Sequence, residues 1–169
     1  MSANAETLNA GSHGADLDKH PIGLYALFGT EMWERFSFYS MLALFTLYLQ
    51  DPKEGFGWTS GEATALYANY LAFVYLSPLV GGFIADRFTG YRKAVMIGGF
   101  FFMAGHGLLS IPAMWAVYLA LTCLVIGNGF FKPNVSTMVG NLYPEGSHLK
   151  DRAYNIFYMG INVGAFIAP

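Results

Sequence analysis

An all-α protein that crosses a membrane several times is what this sequence predicts, on three observations. Of its 169 residues, 54 % are hydrophobic and 12 % charged, against about 25 % charged in an ordinary soluble domain. The charges are bunched in the first 20 residues and in a few short clusters. Between the clusters run apolar stretches of roughly 20 residues, long enough to cross hydrocarbon as helices. The net charge of −2 gives nucleic acid nothing to bind. The single cysteine, Cys123, lies in an apolar run; it cannot form an internal disulfide and reads as a small hydrophobe. The 17 % aromatic content suits interface belts and stacking surfaces alike.

Residues 1–20 are polar and acidic and end in Asp16, Asp18, Lys19 and His20. They lack the basic start and short apolar core of a cleaved signal peptide, so a disordered cytoplasmic tail is expected. The transmembrane bundle then fills residues 21–169, with spans over 22–49, 62–85, 94–111, 115–139 and 153–169. The first is longer than a bilayer requires, and so is tilted or protrudes. Loops follow from Asp51, Pro52, Gly55 and Gly57, from the charged run 86–93, from Pro112, and from Pro144 and Gly146. The fifth span reaches Pro169 with its crossing unfinished, so the natural chain is expected to continue for several more helices. Arg87, Arg92 and Lys93 follow span 2, and Lys150 and Arg152 follow span 4, whereas the loop after span 1 holds only Lys53. Positive charge stays inside, which puts the second and fourth loops and the N-terminus in the cytoplasm.

Glu31, Glu34 and Arg35 interrupt the first apolar span. The i, i+3, i+4 spacing puts them on one face, and Tyr39 extends it. One charge at mid-membrane costs roughly 2.5–3.5 kcal/mol on insertion scales, so three cannot face lipid. They face other helices or a watery cavity and pair partly with one another. A fixed ion pair that only ties helices together is the plain reading. The count argues otherwise, because two acids share one base. An unpaired, desolvated acid favours its protonated form, as a proton carrier must. Either Glu31 or Glu34 is expected to bind a proton, with Arg35 as switchable counter-ion. Lys132 lies inside span 4 in the run Gly127-Asn128-Gly129-Phe130-Phe131-Lys132-Pro133-Asn134. Snorkelling to the interface is its plain reading. Pro133 bends the helix and Gly127 and Gly129 admit a close neighbour, so Lys132 is expected in the same cavity, pairing with a deprotonated glutamate or a substrate carboxylate. After span 2, Gly82, Asp86, Arg87, Gly90, Arg92 and Lys93 read G-x-x-x-D-R-x-x-G-x-R-K. Here Gly82 allows tight helix contact, Asp86 faces a helix N-terminus and Gly90 turns the chain.

That loop resembles the signature between helices 2 and 3 of the major facilitator superfamily, where it serves conformational gating. The run Glu31-Met32-Trp33-Glu34-Arg35-Phe36-Ser37-Phe38-Tyr39 resembles the E-x-x-E-R-F-x-Y-Y motif of proton-dependent oligopeptide transporters. Lys132-Pro133-Asn134 is similar to that family's fourth helix, and Phe157-Tyr158-Met159-Gly160-Ile161-Asn162-Val163-Gly164 to its F-Y-x-x-I-N-x-G signature. The resemblance implies two six-helix halves around a central site, of which only part of the first is present. It implies proton-coupled symport of di- and tripeptides across the cell membrane by alternating access. Glu31, Glu34, Arg35 and Lys132 would serve proton coupling, and Arg35, Tyr39, Tyr75, Lys132 and Asn162 would contact substrate. The implied partners are small peptides, the lipid bilayer and the missing C-terminal half; protons are the coupling ion, and no cofactor or metal is expected. Two positions depart from the pattern. Phe38 replaces the first tyrosine of the pair, and Leu42 stands where many members carry arginine. These leave room for another small solute, such as nitrate or an amino-acid derivative. An enzyme is not expected, because His13, His20, His106 and His148 are scattered and only His106 lies in a span, where a satisfied core histidine is the simpler account. A non-transporting receptor or scaffold would have no use for costly intramembrane charge.

Overall fold

In the computed structural model, residues 19–169 are described, and all but the last two residues of the expected 1–20 tail lie outside them. His20, assigned to that tail, is held: its Nδ1 is 2.8 Å from the Tyr143 hydroxyl, beyond the fourth helix. Five α-helices follow one another: α1 (Ile22–Gln50), α2 (Ser60–Ile84), α3 (Tyr91–Leu109), α4 (Met114–Asn141) and α5 (Leu149–Ile167). A wide π-helical turn, Ala85–Thr89, extends α2. The helices exceed the apolar spans at several ends, because hydropathy marks where lipid begins and the helix runs on into charged residues. The correction is largest at α5. It starts at Leu149 and has 19 residues, roughly 28 Å at 1.5 Å per residue, close to a hydrocarbon core of about 30 Å. By length together with composition, two helices qualify as spans: α2 with its π turn, and α4.

Local chemistry fixes the ends. Thr59 and Glu62 form a reciprocal capping box at the start of α2, which satisfies two otherwise orphaned backbone donors. The Asp51 carboxylate accepts from the backbone N–H groups of Lys53 and Glu54 at 2.8 and 2.9 Å, which turns the chain out of α1. Gly90 begins α3 at φ +73°, a left-handed conformation that glycine adopts without strain.

α4 is the central post. It packs against α2 on one side and α3 on the other, while α1 pairs with α5. The core has two apolar clusters. Leu24 and Leu27 of α1, Val135 and Val139 of α4 and Phe157 of α5 fill one. Phe45 and Leu49 of α1, Val74 of α2 and Val117 and Leu121 of α4 fill the other. Both α1 and α4 cross from one cluster to the other at mid-length, running in opposite senses. Buried polar residues sit at that crossing, Glu31 and Arg35 on α1 and Asn128 on α4, with Asn134 further along α4 beside the first cluster. Outside, large apolar side chains stand exposed on every helix, among them Leu79, Met103 and Phe166. A surface so continuously apolar is a liability in water and suits lipid or further helices.

Candidate functional site: a buried acid–base cluster

The two glutamates are not equivalent. Arg35 grips Glu34 with two bonds, Nη2 to Oε1 at 2.6 Å and Nε to Oε2. It reaches Glu31 only by Nε to Oε1 at 3.5 Å, one turn back along α1. Glu31 is 2 % exposed and Arg35 5 %, and Glu31 Oε2 is buried with no hydrogen-bond partner. The expectation of one unpaired acid is thereby corrected: Arg35 touches both, and what is left over is one oxygen, on Glu31. A buried acceptor without a partner carries a desolvation cost of about 1–3 kcal/mol, more if charged.

Aromatic and helical walls hold the cluster. The Arg35 guanidinium lies 4.9 Å from the centre of the Phe38 ring, so the departure at Phe38 keeps the ring face that a cation uses and loses only a hydroxyl. α5 closes behind, at a point where a methyl on Gly164 would run into the Met32 carbonyl and the Arg35 side chain. Lys132 is half-buried on α4 with its Nζ 5.8 Å from the centre of the Tyr75 ring. It is close enough to feel both carboxylates electrostatically, but the ion pairs among the described residues belong to Arg35. Tyr39 is 38 % and Tyr75 69 % exposed, at the open side of the cluster. Asn162 is exposed on α5, half a turn from Gly160 and Gly164, which press on α1; the structure does not bring it to the carboxylates. Arg35, expected also as a substrate contact, is enclosed by its two acids.

Several participants were missed in the sequence. Tyr70, on α2, is buried within electrostatic reach of Glu34 and Arg35. A cavity of about 270 Å³ is lined by Glu34, Ser37, Tyr70 and His106 with apolar neighbours. His106 Nε2 lies 2.9 Å from the Ser37 hydroxyl, so this histidine is partnered, as the simpler account required. Only tertiary contact could have picked out Tyr70, one of eleven tyrosines.

In the loop after α2, Tyr91, the first residue of α3, lies within electrostatic reach of the Asp86 carboxylate, and the Arg87 guanidinium lies 5.7 Å from the Phe83 ring centre. Arg92 and Lys93 are exposed. The tight contact expected at Gly82 falls one residue earlier. A methyl on Gly81 would collide with the carbonyl of Gly129, whereas at Gly82 it would meet Pro133 at 3.6 Å, an ordinary contact.

A helical bundle with lipid-ready faces and a buried acid–base cluster at mid-depth is the architecture of a polytopic membrane protein. Residues 92–169 match the model of the POT family, whose members are membrane proteins. It is 42 % identical over 154 residues to a di-/tripeptide transporter of Lactococcus lactis subsp. cremoris, covering 88 % of this chain and 31 % of that protein. It is 44 % identical over 153 residues to the uncharacterized transporter YclF of Bacillus subtilis, covering 89 % and 31 %. A crystal structure of peptide transporter POT in complex with sulfate superposes with a TM-score of 0.87 at 44 % identity, over 92 % of this chain and 32 % of that one. A POT family transporter in complex with 5-aminolevulinic acid gives a TM-score of 0.85 at 40 % identity, over 88 % and 31 %. The chain spans about a third of the length of the relatives it matches.

Proposed function

We propose that this chain is the N-terminal part of a transporter that carries di- and tripeptides across the cytoplasmic membrane by alternating access, driven by proton entry. The observation that carries the reading is the unpartnered Glu31 oxygen beside Arg35. Uptake of a proton on Glu31 removes a buried charge that one long contact to Arg35 offsets only in part, and releases Arg35 to Glu34 alone. Loss of the proton pulls Arg35 back or draws in Lys132. Each state has its own set of ion pairs, and the difference between them can bias two arrangements of the helices. Lys132 and Tyr75 at the open side are the groups offered to a peptide carboxylate and backbone. The peptide cargo is supported by the names of the relatives, a di-/tripeptide transporter and a peptide transporter of Yersinia enterocolitica. The basic residues after α2 and α4 support a cytoplasmic N-terminus, and protons are the only coupling species invoked.

The test is uptake of labelled di- and tripeptide by the full-length protein in vesicles, with and without an inward proton gradient. Gradient-stimulated uptake that is lost in Glu31→Gln and Lys132→Gln supports the reading. Gradient-driven uptake untouched by both substitutions sinks the proposed roles. A second cargo, a small amino-acid derivative, is favoured by one observation: a family member 40 % identical to this chain was crystallised with 5-aminolevulinic acid. Competition between that compound and a dipeptide separates the two.

A further inference from the structure

Two helices that pack against each other beside the site each carry an internal proline, Pro78 in α2 and Pro133 in α4. A helical proline has no N–H to give the carbonyl four residues earlier, so the carbonyls of Val74 and Gly129 lose their intrahelical donor. Their fates differ. The Gly129 carbonyl is pressed against Gly81, where no side chain fits. The Val74 carbonyl is captured from the other helix: Asn128 Nδ2 donates to it at 2.7 Å. The Ser77 hydroxyl donates from α2 itself at 3.2 Å, so both acceptor directions are filled. Asn128 is 2 % exposed, and its Oδ1 is buried with no partner. The amide must point this way, since the reverse would set two acceptors against each other. An asparagine that leaves its own oxygen unmet in an apolar contact is explained by what its nitrogen does.

We propose that Asn128 is a positioning residue: its side chain replaces the hydrogen bond that Pro78 deletes, and so fixes the depth at which α2 lies against α4. That depth sets the Tyr75–Lys132 pair. Val74 immediately precedes Tyr75, and Asn128 lies one helical turn before Lys132. The clamp and the pair are neighbours on both helices, so a slip between them would carry Lys132 off the Tyr75 ring. The substrate role of that pair rests on the peptide-transport reading above; the clamp itself does not.

A mutant cycle on the purified full-length protein separates the two. Pro78→Ala restores an N–H opposite the Val74 carbonyl and makes the clamp redundant. Asn128→Ala is expected to lower the unfolding temperature clearly in the parent and much less in the Pro78→Ala background. It is expected to raise KM for peptide several-fold in reconstituted vesicles, with a smaller change in maximal rate, and Pro78→Ala should relieve that rise. Equal losses of unfolding temperature in both backgrounds overturn the clamp and leave Asn128 a packing residue. The unfolding pattern as expected, with KM unchanged, overturns the positioning role. Should Asn128→Ala fail to fold, Asn128→Leu, similar in volume and without a donor, is read in the same cycle. Absence of any peptide uptake by folded parent protein removes the transport reading, and the positioning role with it, while the unfolding measurements still decide the clamp.

Discussion

Arg35 holds Glu34 by two short bonds and Glu31 by one long contact, and this inequality sorts the residues of the cluster. Removing the base is expected to be worst. Arg35→Leu strands two buried carboxylates, and breaking a buried pair this way costs about 3–5 kcal/mol. Folded protein should be scarce or absent by size-exclusion chromatography in detergent. Glu31→Gln removes an acid whose second oxygen has no partner, so the fold should survive while gradient-driven uptake falls; exchange of labelled for unlabelled peptide, which needs no net proton movement, should persist. At the surface, Asp51 makes a separate prediction. Two backbone N–H groups, of Glu54 and Lys53, hold its carboxyl below the usual aspartate range. A depressed folded value means that the turn is supported above the unfolded pKa and loses that support as pH falls through the folded one. Its titration midpoint by NMR should therefore lie below that of an unstructured aspartate, and Asp51→Ala should speed amide exchange at Lys53 and Glu54 without touching uptake.

At the scale of elements, the α2–α4 contact is backbone against backbone. A methyl at Gly81 has no room beside the Gly129 carbonyl, and overpacking of this kind typically costs about 1–3 kcal/mol. Gly81→Ala is expected to lower the unfolding temperature, whereas Gly99→Ala, where no atom lies within 4 Å, should leave it unchanged or slightly raise it by helix propensity. Spacing in the sequence marked a small residue in this stretch but favoured Gly82. The reason is rotational: adjacent residues on a helix point about 100° apart, and nothing local says which of two neighbouring glycines faces the partner. Helix ends were blurred for a related reason. Tyr91, Arg92 and Lys93 belong to α3, and Leu149 to Arg152 to α5, but their charge reads as loop when hydropathy is the only guide.

For the whole molecule, alternating basic and non-basic loops give a test of orientation. In a Cys123→Ser background, a cysteine placed at Lys53 should react with an impermeant maleimide added outside intact cells. One placed at Arg92 should react only after the membrane is opened. The reverse pattern would invert the topology and put Asp86, Arg87 and Gly90 on the wrong face for a cytoplasmic gate. The polar crossing between the two apolar clusters belongs to this scale too, since it needs α1, α4 and α5 together. Its open side, at Tyr39, Tyr75 and Lys132, is where the rest of a transporter would stand.

Class was legible in the residues because lipid imposes a simple rule: long apolar stretches, few charges and basic loops on one side. The acid–base cluster was legible because three charges within five residues of an apolar helix have no bland home. The family's motifs then gave order and direction to the rest. Which glutamate is short of a partner, that Asn162 faces away from the cluster, that Tyr70 approaches it, and that Asn128 answers for Pro78 were all decided by tertiary structure. Each is a matter of rotation about a helix axis or of depth between two helices. A linear sequence carries the period of a helix, but the phase of one helix against the next is set only when side chains from both compete for the same space.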